Sequence, residues 1–208
     1  MATGLRELKK QQTRQAISNA ATRLFIERGF EAVTITEIAA AAQVAKMTVT
    51  NYFPRKEDLA LDYHETFAAS LARTVADRSA GESALAALRR EFLAGVERHD
   101  AVIGFSSQGF ARMISDSPTL TARLRDLHDQ REEALAQVIA TDTASAPGDL
   151  TARAAAALLG AAHRTLFEHI MDLTRQGQSN RQIAATVTRS AHQVFGLLEV
   201  SLADYATR

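Results

Sequence analysis

Apolar residues recur along most of the chain at the three- and four-residue spacing of amphipathic helices. No run alternates between apolar and polar residues with flanking turn signals, as a β-strand would. Glycines and capping pairs, among them Ser179 with Gln182, divide the pattern into segments. We therefore expect an all-α protein of nine helices. They are predicted at residues 8–28, 34–42, 45–53, 56–78, 82–99, 102–115, 118–140, 150–176 and 179–206.

The second and third predicted helices are short. Thr34, followed three residues later by Glu37, has the form of a capping box that begins the second helix. Pro54 ends the third, because the residue before a proline is pushed away from helical angles. Two short helices joined by a tight turn, after a longer helix that covers them, are the arrangement of a helix-turn-helix. We expect this module to occupy residues 1–55 and a second helical domain to occupy residues 56–208.

The uneven distribution of charged residues indicates that the two predicted domains have different roles. The chain of 208 residues has no net charge, yet its first 56 residues hold nine lysines and arginines against four acids, and all four lysines. A basic amino-terminal segment joined to an acidic remainder suits a protein whose amino-terminal module contacts phosphates. A chance imbalance on solvated faces is the plain alternative. The polar amino terminus and the lack of a long apolar run predict a cytoplasmic, nucleoid-associated protein with no membrane partner.

Enzyme and metal motifs are incomplete in this sequence. Gly104 and Gly109 have the glycine spacing of a phosphate loop, but no Lys-Ser/Thr pair follows them. His64 lacks the second histidine of a zinc-hydrolase helix, and there is no cysteine to act as a thiolate ligand or nucleophile. His163 and His169 are six residues apart and so do not share a helix face. We expect no catalysis, no metal and no cofactor.

The helix-turn-helix module resembles the TetR family of bacterial transcriptional regulators, over about residues 10–65. Leu24-Phe25 and Gly29-Phe30 precede the main part of the match. That part consists of Thr34-Ile35-Thr36-Glu37-Ile38-Ala39, Val44 and Ala45-Lys46-Met47-Thr48-Val49-Thr50-Asn51-Tyr52-Phe53-Pro54-Arg55-Lys56-Glu57-Asp58-Leu59. The resemblance implies a three-helix DNA-binding domain joined to a helical domain for ligand binding and dimerisation.

The function that the resemblance implies is transcriptional regulation. The protein would be a homodimeric repressor that binds a palindromic double-stranded DNA operator. A small-molecule effector, largely apolar, would release it by shifting the fourth helix. An activator on the same scaffold stays open as an alternative, as does a ligand-binding or interaction module that has lost DNA binding.

Residue roles at the DNA follow from the family resemblance and from groove chemistry. The resemblance puts Thr36, Lys46, Met47 and Thr50 at base-facing positions. A lysine donates to guanine O6 and N7, whereas methionine and the threonine methyl pack on a thymine methyl. The residues expected to position the module on the backbone are Thr34, Thr48, Asn51, Tyr52 and Lys56. For each of them, an ordinary solvated or half-buried helix residue is the alternative.

Three residues depart from the family pattern. Gln43 stands at a turn where the family usually has glycine, and a left-handed backbone there would cost about 1–2 kcal/mol. Ala45 stands where a capping Ser or Thr is common, which forgoes about 1 kcal/mol. Thr50 replaces the usual tyrosine. These departures bear on the pitch of the third helix and on the operator sequence.

The last two predicted helices carry apolar stripes. The resemblance implies that these helices pair with their copies as a four-helix bundle, and the alternative is that both stripes close the core of a single chain. The predicted dimer contacts are Leu158, Ala162, Leu166, Ile183, Val187, Ala191, Val194, Leu198 and Leu202.

The resemblance also implies a small-molecule cavity between the predicted fourth and eighth helices. Such cavities are mostly apolar with a few polar groups. Arg112 and Arg131 would suit an anionic ligand such as an acyl thioester or a carboxylate, and pairing with nearby acids is the alternative. For the apolar candidates, packing in the core is the alternative. The candidate lining residues are Phe67, Phe92, Phe105, Gln108, Phe110, Arg112, Met113, Leu127, Arg131, His163, Phe167 and Met171.

Overall fold

Ten α-helices and one short 3-10 helix make up the part of the chain that the computed structural model describes, residues 2–146 and 148–208. Met1, which the predicted first domain includes, lies outside that part. The all-α prediction is confirmed. The helices are α1 (Ala2–Arg28), α2 (Ile35–Ala41), α3 (Lys46–Tyr52), α4 (Lys56–Ala60), α5 (His64–Ala76), α6 (Ala84–Arg98), α7 (Gln108–Asp116), α8 (Pro118–Asp142), α9 (Thr151–Arg175) and α10 (Asn180–Leu202), with the 3-10 helix at Ala101–Ile103.

The predicted helix over 56–78 is two helices, which makes the predicted count of nine wrong. The backbone leaves helical angles at Leu61, with φ −113° and ψ 54°. Asp62, which follows, is held by α1, because Arg14 donates to its carbonyl at 3.1 Å and the Ser18 hydroxyl donates to its carboxylate. Contacts with a distant helix therefore interrupt a pattern that looks continuous in the sequence.

The predicted helix over 102–115 begins later, at Gln108. Gly104, which ends the 3-10 helix, has a φ of 116°, and a Cβ there would lie 3.0 Å from the Phe167 carbonyl oxygen. Only glycine suits a left-handed conformation with so close a neighbour.

The chain divides into two compact units. The first comprises Met1–His64 and Arg112–Arg123, and the second comprises Glu65–Ala111 and Leu124–Arg208. The first unit therefore extends beyond the predicted limit at residue 55 and includes a segment that the sequence placed in the second domain.

The first unit is built around α1, which packs against α2 and α4, while α2 packs against α3. Ile38, Val49 and Phe53 are at most 1% exposed. The segment 112–123 is tied to this unit by an ion pair between Arg123 and Asp58, whose closest atoms are 3.0 Å apart.

The second unit is built around α10, which packs against α6 and α9. Five residues of α10 are buried within the chain, namely Ile183, Val187, Ala191, Phe195 and Leu202. Arg78, which follows α5, is 2% exposed and forms an ion pair with Asp142 at 2.6 Å. It also donates to the Ala206 carbonyl at 2.9 Å, and so ties the end of the chain to this unit.

The turn between α2 and α3 is left-handed at Gln43, where φ is 55°. The Gln43 amide donates to the Ala40 carbonyl at 3.1 Å, and the Val44 amide donates to the Ala39 carbonyl at 3.0 Å. These two bonds form a Schellman motif, in which glycine usually takes the left-handed position. Ala45, at the start of α3, makes no side-chain capping bond. Both irregularities read from the sequence are present.

Replacing Gln43 by glycine should stabilise the protein. A Cβ in the left-handed conformation costs about 1–2 kcal/mol, so Gln43→Gly should raise the free energy of unfolding by about 1 kcal/mol after the added chain entropy is deducted. Urea unfolding followed by circular dichroism measures this difference. The matched control is Gln43→Ala, which removes the polar side chain and keeps the Cβ. Equal stability of the two variants would show that the turn is not strained.

Candidate nucleic-acid interface and ligand cavity

The outward face of α3 consists of side chains that the sequence predicted to meet DNA. Val49, on the inner face of this helix, is fully buried and so fixes which face points outward. Met47 is 73% exposed, an unusual position for a large apolar side chain. Among the predicted residues, Thr34, Thr36, Lys46, Met47, Thr50 and Asn51 are exposed, and Thr48, Tyr52 and Lys56 are half-buried.

Hydrogen bonds within the unit already occupy two of the predicted hydroxyls. The Thr50 hydroxyl donates to the Met47 carbonyl at 3.1 Å, which leaves the threonine methyl for an outside contact. The Thr34 hydroxyl accepts from the Glu37 amide at 3.3 Å and donates to the Glu37 carboxylate at 2.8 Å, so the predicted capping box is confirmed. Bonds from the Thr34 backbone and hydroxyl, with the Arg28 guanidinium, lower the pKa of Glu37 to about 2.

Lys56 has partners within its own unit. Its ammonium donates to the Phe30 carbonyl at 2.6 Å and to the Glu31 carbonyl at 3.4 Å. It also lies 4.4 Å from the centroid of the Phe30 ring. The side chain therefore holds the loop between α1 and α2 and is not a free cation, and a contact of Lys56 with phosphate stays a prediction. Sequence position alone could not reveal this contact across 26 residues.

A basic groove lies beside Tyr52, at the end of α3. The first turns of α1 contribute three cations, Arg6, Lys9 and Lys10, and one acid, Glu7, to it. These three cations were not among the predicted DNA contacts, although the concentration of lysines in the first 56 residues was a signal for them. Cations beside the outward face of α3 suit phosphate contacts.

A cavity of about 190 Å³ lies within the second unit. Its walls come from α5, α6, the 3-10 helix, α8 and α9. Apolar side chains and a few polar groups share the lining, as in sites for small molecules. The lining residues are Thr66, Ser70, Leu71, Arg73, Thr74, Leu88, Glu91, Phe92, Gly95, Arg98, Asp100, Val102, Ile103, Arg131 and His163.

Three of the twelve predicted pocket residues, Phe92, Arg131 and His163, line this cavity. Arg112 is exposed on α7 and does not line this cavity. Sequence reasoning missed the α5 side of the lining, with Ser70 and Thr74, since small polar residues on a helix give no distinctive signal. The predicted residues outside the lining are Phe67, Phe105, Gln108, Phe110, Arg112, Met113, Leu127, Phe167 and Met171.

Two of those residues nevertheless support the cavity wall. The guanidinium carbon of Arg131 lies 4.5 Å from the centroid of the Phe67 ring, which packs edge-on against Phe167. His128 packs against both phenyl rings. Its burial, followed by the charge of Arg131, lowers the pKa of His128 to about 3, so this imidazole is neutral at pH 7.

Most of the predicted dimer contacts require correction as well. Ala162, Leu166, Ile183, Val187, Ala191 and Leu202 are at most 7% exposed within the single chain. They pack in its core and have no surface to offer a partner. Leu158 (47% exposed), Val194 and Leu198 keep exposed surface. Leu197 and Val200, which were not predicted, are 78% and 95% exposed on α10.

Within the described residues, no helix is long and apolar enough to cross a bilayer. No group of three histidines, aspartates or glutamates in that part of the chain is arranged to hold a metal ion.

Comparison with known proteins places these features in context. The sequence model of the bacterial regulatory proteins of the tetR family matches residues 17–63. The HTH-type transcriptional regulator TcmR of Streptomyces glaucescens is 30% identical over 142 residues, which are 66% of this chain. The match spans 63% of the length of TcmR, less than two thirds.

Solved structures share the fold. NalD, the secondary repressor of the MexAB-OprM multidrug efflux pump in Pseudomonas aeruginosa, is 20% identical, with a TM-score of 0.54 over 89% of this chain and 96% of NalD. SmeT in complex with triclosan is 17% identical, with a TM-score of 0.55 over 88% of this chain and 90% of SmeT.

Replacing Lys56 should destabilise the first unit. Lys56→Met removes a charged hydrogen bond to the Phe30 carbonyl, so we expect the free energy of unfolding to fall by about 1–3 kcal/mol. Chemical denaturation measures the loss. The matched control is Lys46→Met, since the Lys46 ammonium makes no hydrogen bond or ion pair within residues 2–146 and 148–208. Equal stability of Lys56→Met and the wild type would contradict the structural role.

Proposed function

We propose that the chain belongs to the TetR family of bacterial regulatory proteins, and that it is a homodimeric transcriptional repressor that a small-molecule effector releases from a palindromic operator. The observation that carries the proposal is the outward face of α3, where Lys46, Met47, Thr50 and Asn51 are exposed above a buried Val49. A short helix that presents such a face after a tight turn suits the major groove.

Base recognition would come from the start of α3 and from α2. Lys46 offers a donor for guanine, and Met47 with the Thr50 methyl offers apolar contacts for thymine. Thr36 would join them from α2. Backbone contacts would come from Thr34, Thr48, Asn51 and Tyr52, together with the basic groove of Arg6, Lys9 and Lys10 beside Tyr52.

Repression is the favoured direction of control. NalD is named as a repressor, and TcmR is named as a transcriptional regulator. An operator that overlaps a promoter would be blocked by a bound dimer. The proposed family consists of regulators, and we propose a regulatory and not an enzymatic role for this chain.

Dimerisation would use the outer faces of α9 and α10. Leu158, Leu197 and Val200 are large apolar side chains exposed in one chain, and such patches commonly mark protein interfaces. The small residues Ala161, three residues after Leu158, and Gly196, next to Leu197, would permit close approach. A twofold dimer would carry two copies of α3, one for each half-site of a palindrome.

Release would follow from effector binding in the cavity of the second unit. SmeT has been solved with triclosan, a small molecule, which supports a ligand site in this fold. Coupling requires that the effector bind the DNA-free protein more tightly than the operator complex.

Lys46 and Lys10 should differ in what they contribute to DNA binding. Lys46→Ala should lower specific affinity by about 1–3 kcal/mol with little effect on random DNA, because it removes a base contact. Lys10→Ala should weaken binding to all sequences and reduce the slope of log K against log salt by about 0.9. Fluorescence anisotropy with the protein's own upstream region and with random duplex measures both. Equal loss on both duplexes in Lys46→Ala would rule out base contact.

The dimer surface can be tested by charge insertion. Val200→Asp with Leu197→Asp buries two unpaired carboxylates in the proposed interface, so we expect monomers in sedimentation velocity at micromolar concentration. The control is Leu150→Asp, since Leu150 is 69% exposed and precedes α9 outside the proposed face. A double variant that remains dimeric would exclude this surface.

A further inference from the structure

The cavity in the second unit contains a buried arginine without a counter-ion. Arg131 is 3% exposed, and its Nε donates to the Ser70 hydroxyl at 2.8 Å. Within residues 2–146 and 148–208, no carboxylate oxygen lies within 4.0 Å of its nitrogens, and its two terminal nitrogens donate no hydrogen bond. A guanidinium has five N–H donors, so four of them are left without an acceptor from this part of the chain.

The other deeply buried arginine of this unit, Arg78, has partners for its charge and its N–H groups. Arg78, 2% exposed, pairs with Asp142 at 2.6 Å and donates to three backbone carbonyls. Buried charges are ordinarily paired in this way, because desolvation is otherwise uncompensated. The lack of a partner for Arg131 therefore distinguishes it from a structural arginine.

Acids that line the same cavity are already engaged. Glu91 and Asp100 lie 2.7 Å and 3.4 Å from the Arg98 guanidinium, and Asp100 also accepts from the Val102 amide at 2.9 Å. With Arg73, the lining holds three arginines against these two carboxylates. The cavity has an excess of positive charge, and its deepest cation is Arg131.

His163 offers a second polar group without a partner. It is 4% exposed, lines the cavity, and neither ring nitrogen has a hydrogen-bond partner in the described part of the chain. Burial lowers its pKa well below the usual range, and burial also lowers the pKa of Arg131 to about 9. At pH 7 the imidazole is therefore neutral, with one N–H to donate, and the guanidinium is charged.

We propose that this cavity binds a small organic carboxylate, with the carboxylate paired to Arg131 and the apolar body against Leu71, Leu88 and Phe92. A carboxylate accepts two parallel N–H bonds from one guanidinium, which matches the unused donors of Arg131. His163 donates to the same anion or to a polar substituent beside it. The volume of 190 Å³ is below the range of about 300–1,000 Å³ typical of drug-sized ligands, so the ligand is compact. The carboxylate site is argued from the cavity alone. Only the identification of its ligand with the effector rests on the proposed function.

Benzoate and its neutral isostere benzamide test the proposal on the full-length protein. Isothermal titration calorimetry should show saturable binding of benzoate, with benzamide at least about tenfold weaker, because only benzoate provides the counter-charge. Hexanoate, titrated in parallel, shows whether a ring is needed in addition to the carboxylate. Binding of either carboxylate with preference over benzamide supports the proposal. Equal affinity for benzoate and benzamide, or no saturable binding of either carboxylate, overturns it.

Variants identify the residue responsible. Arg131→Met keeps the apolar stem and should weaken benzoate at least about tenfold without weakening benzamide. Arg125→Met is the matched control, because Arg125 is exposed on the same helix, and it should bind benzoate as the wild type does. Ser70→Ala retains the charge and loses the bond that orients it, and should weaken benzoate by a smaller factor. Circular dichroism checks that each variant is folded. Unchanged benzoate affinity in folded Arg131→Met, or in Ser70→Ala should Arg131→Met not fold, overturns the assignment.

These titrations contain no DNA, so they separate the two proposals. Benzoate binding in a protein that fails to bind its own upstream region would reject the repressor and keep the ligand site. Specific DNA binding without carboxylate binding would reject the ligand class and keep the repressor.

Discussion

The edge-to-face contact of Phe195 with Phe92 and His163 is the interaction on which the second unit depends. The ring centroid of Phe195 lies 5.8 Å from that of Phe92 and 5.3 Å from that of His163. Since Phe195 lies on α10, Phe92 on α6 and His163 on α9, one buried cluster joins three helices. Aromatic pairs of this kind contribute about 0.5–1.5 kcal/mol beyond their area. The cluster turns the apolar stripe of α10 inward, leaves Leu197 and Val200 outward, and sets two walls of the cavity.

The same packing creates the electrostatic asymmetry of the cavity. Helix α8 places Arg131 where Phe67 covers its guanidinium and Ser70 accepts a single hydrogen bond. An unpaired charge at this depth costs several kcal/mol in the free protein. An anion bound as we propose would offset that penalty, so the arrangement would lower stability without ligand and increase affinity with it. In this proposal, the ability to bind an anion lowers the stability of the ligand-free core.

The helix-turn-helix of the first unit shows a comparable compromise in its backbone. The left-handed Gln43 and the uncapped Ala45 both weaken the start of α3. Burial of Val49 and Phe53 holds the helix in place instead. The outward face is then free to carry residues chosen for contact, including the exposed Met47. Lys56 also stabilises this unit, because its ammonium holds the loop at the Phe30 carbonyl.

The sequence by itself determined the local features: the helical segments, the capping boxes at Thr34 and Ser179, and the turn at Gln43. Each of these arises from residues within one or two helical turns. Only the tertiary structure decided the break at Leu61, the contact of Lys56, the direction of the α10 stripe and the choice of Arg131 as the buried cation. Periodicity shows that a helix face is apolar but not what covers it, and a charge finds its partner or lacks one only when distant segments meet.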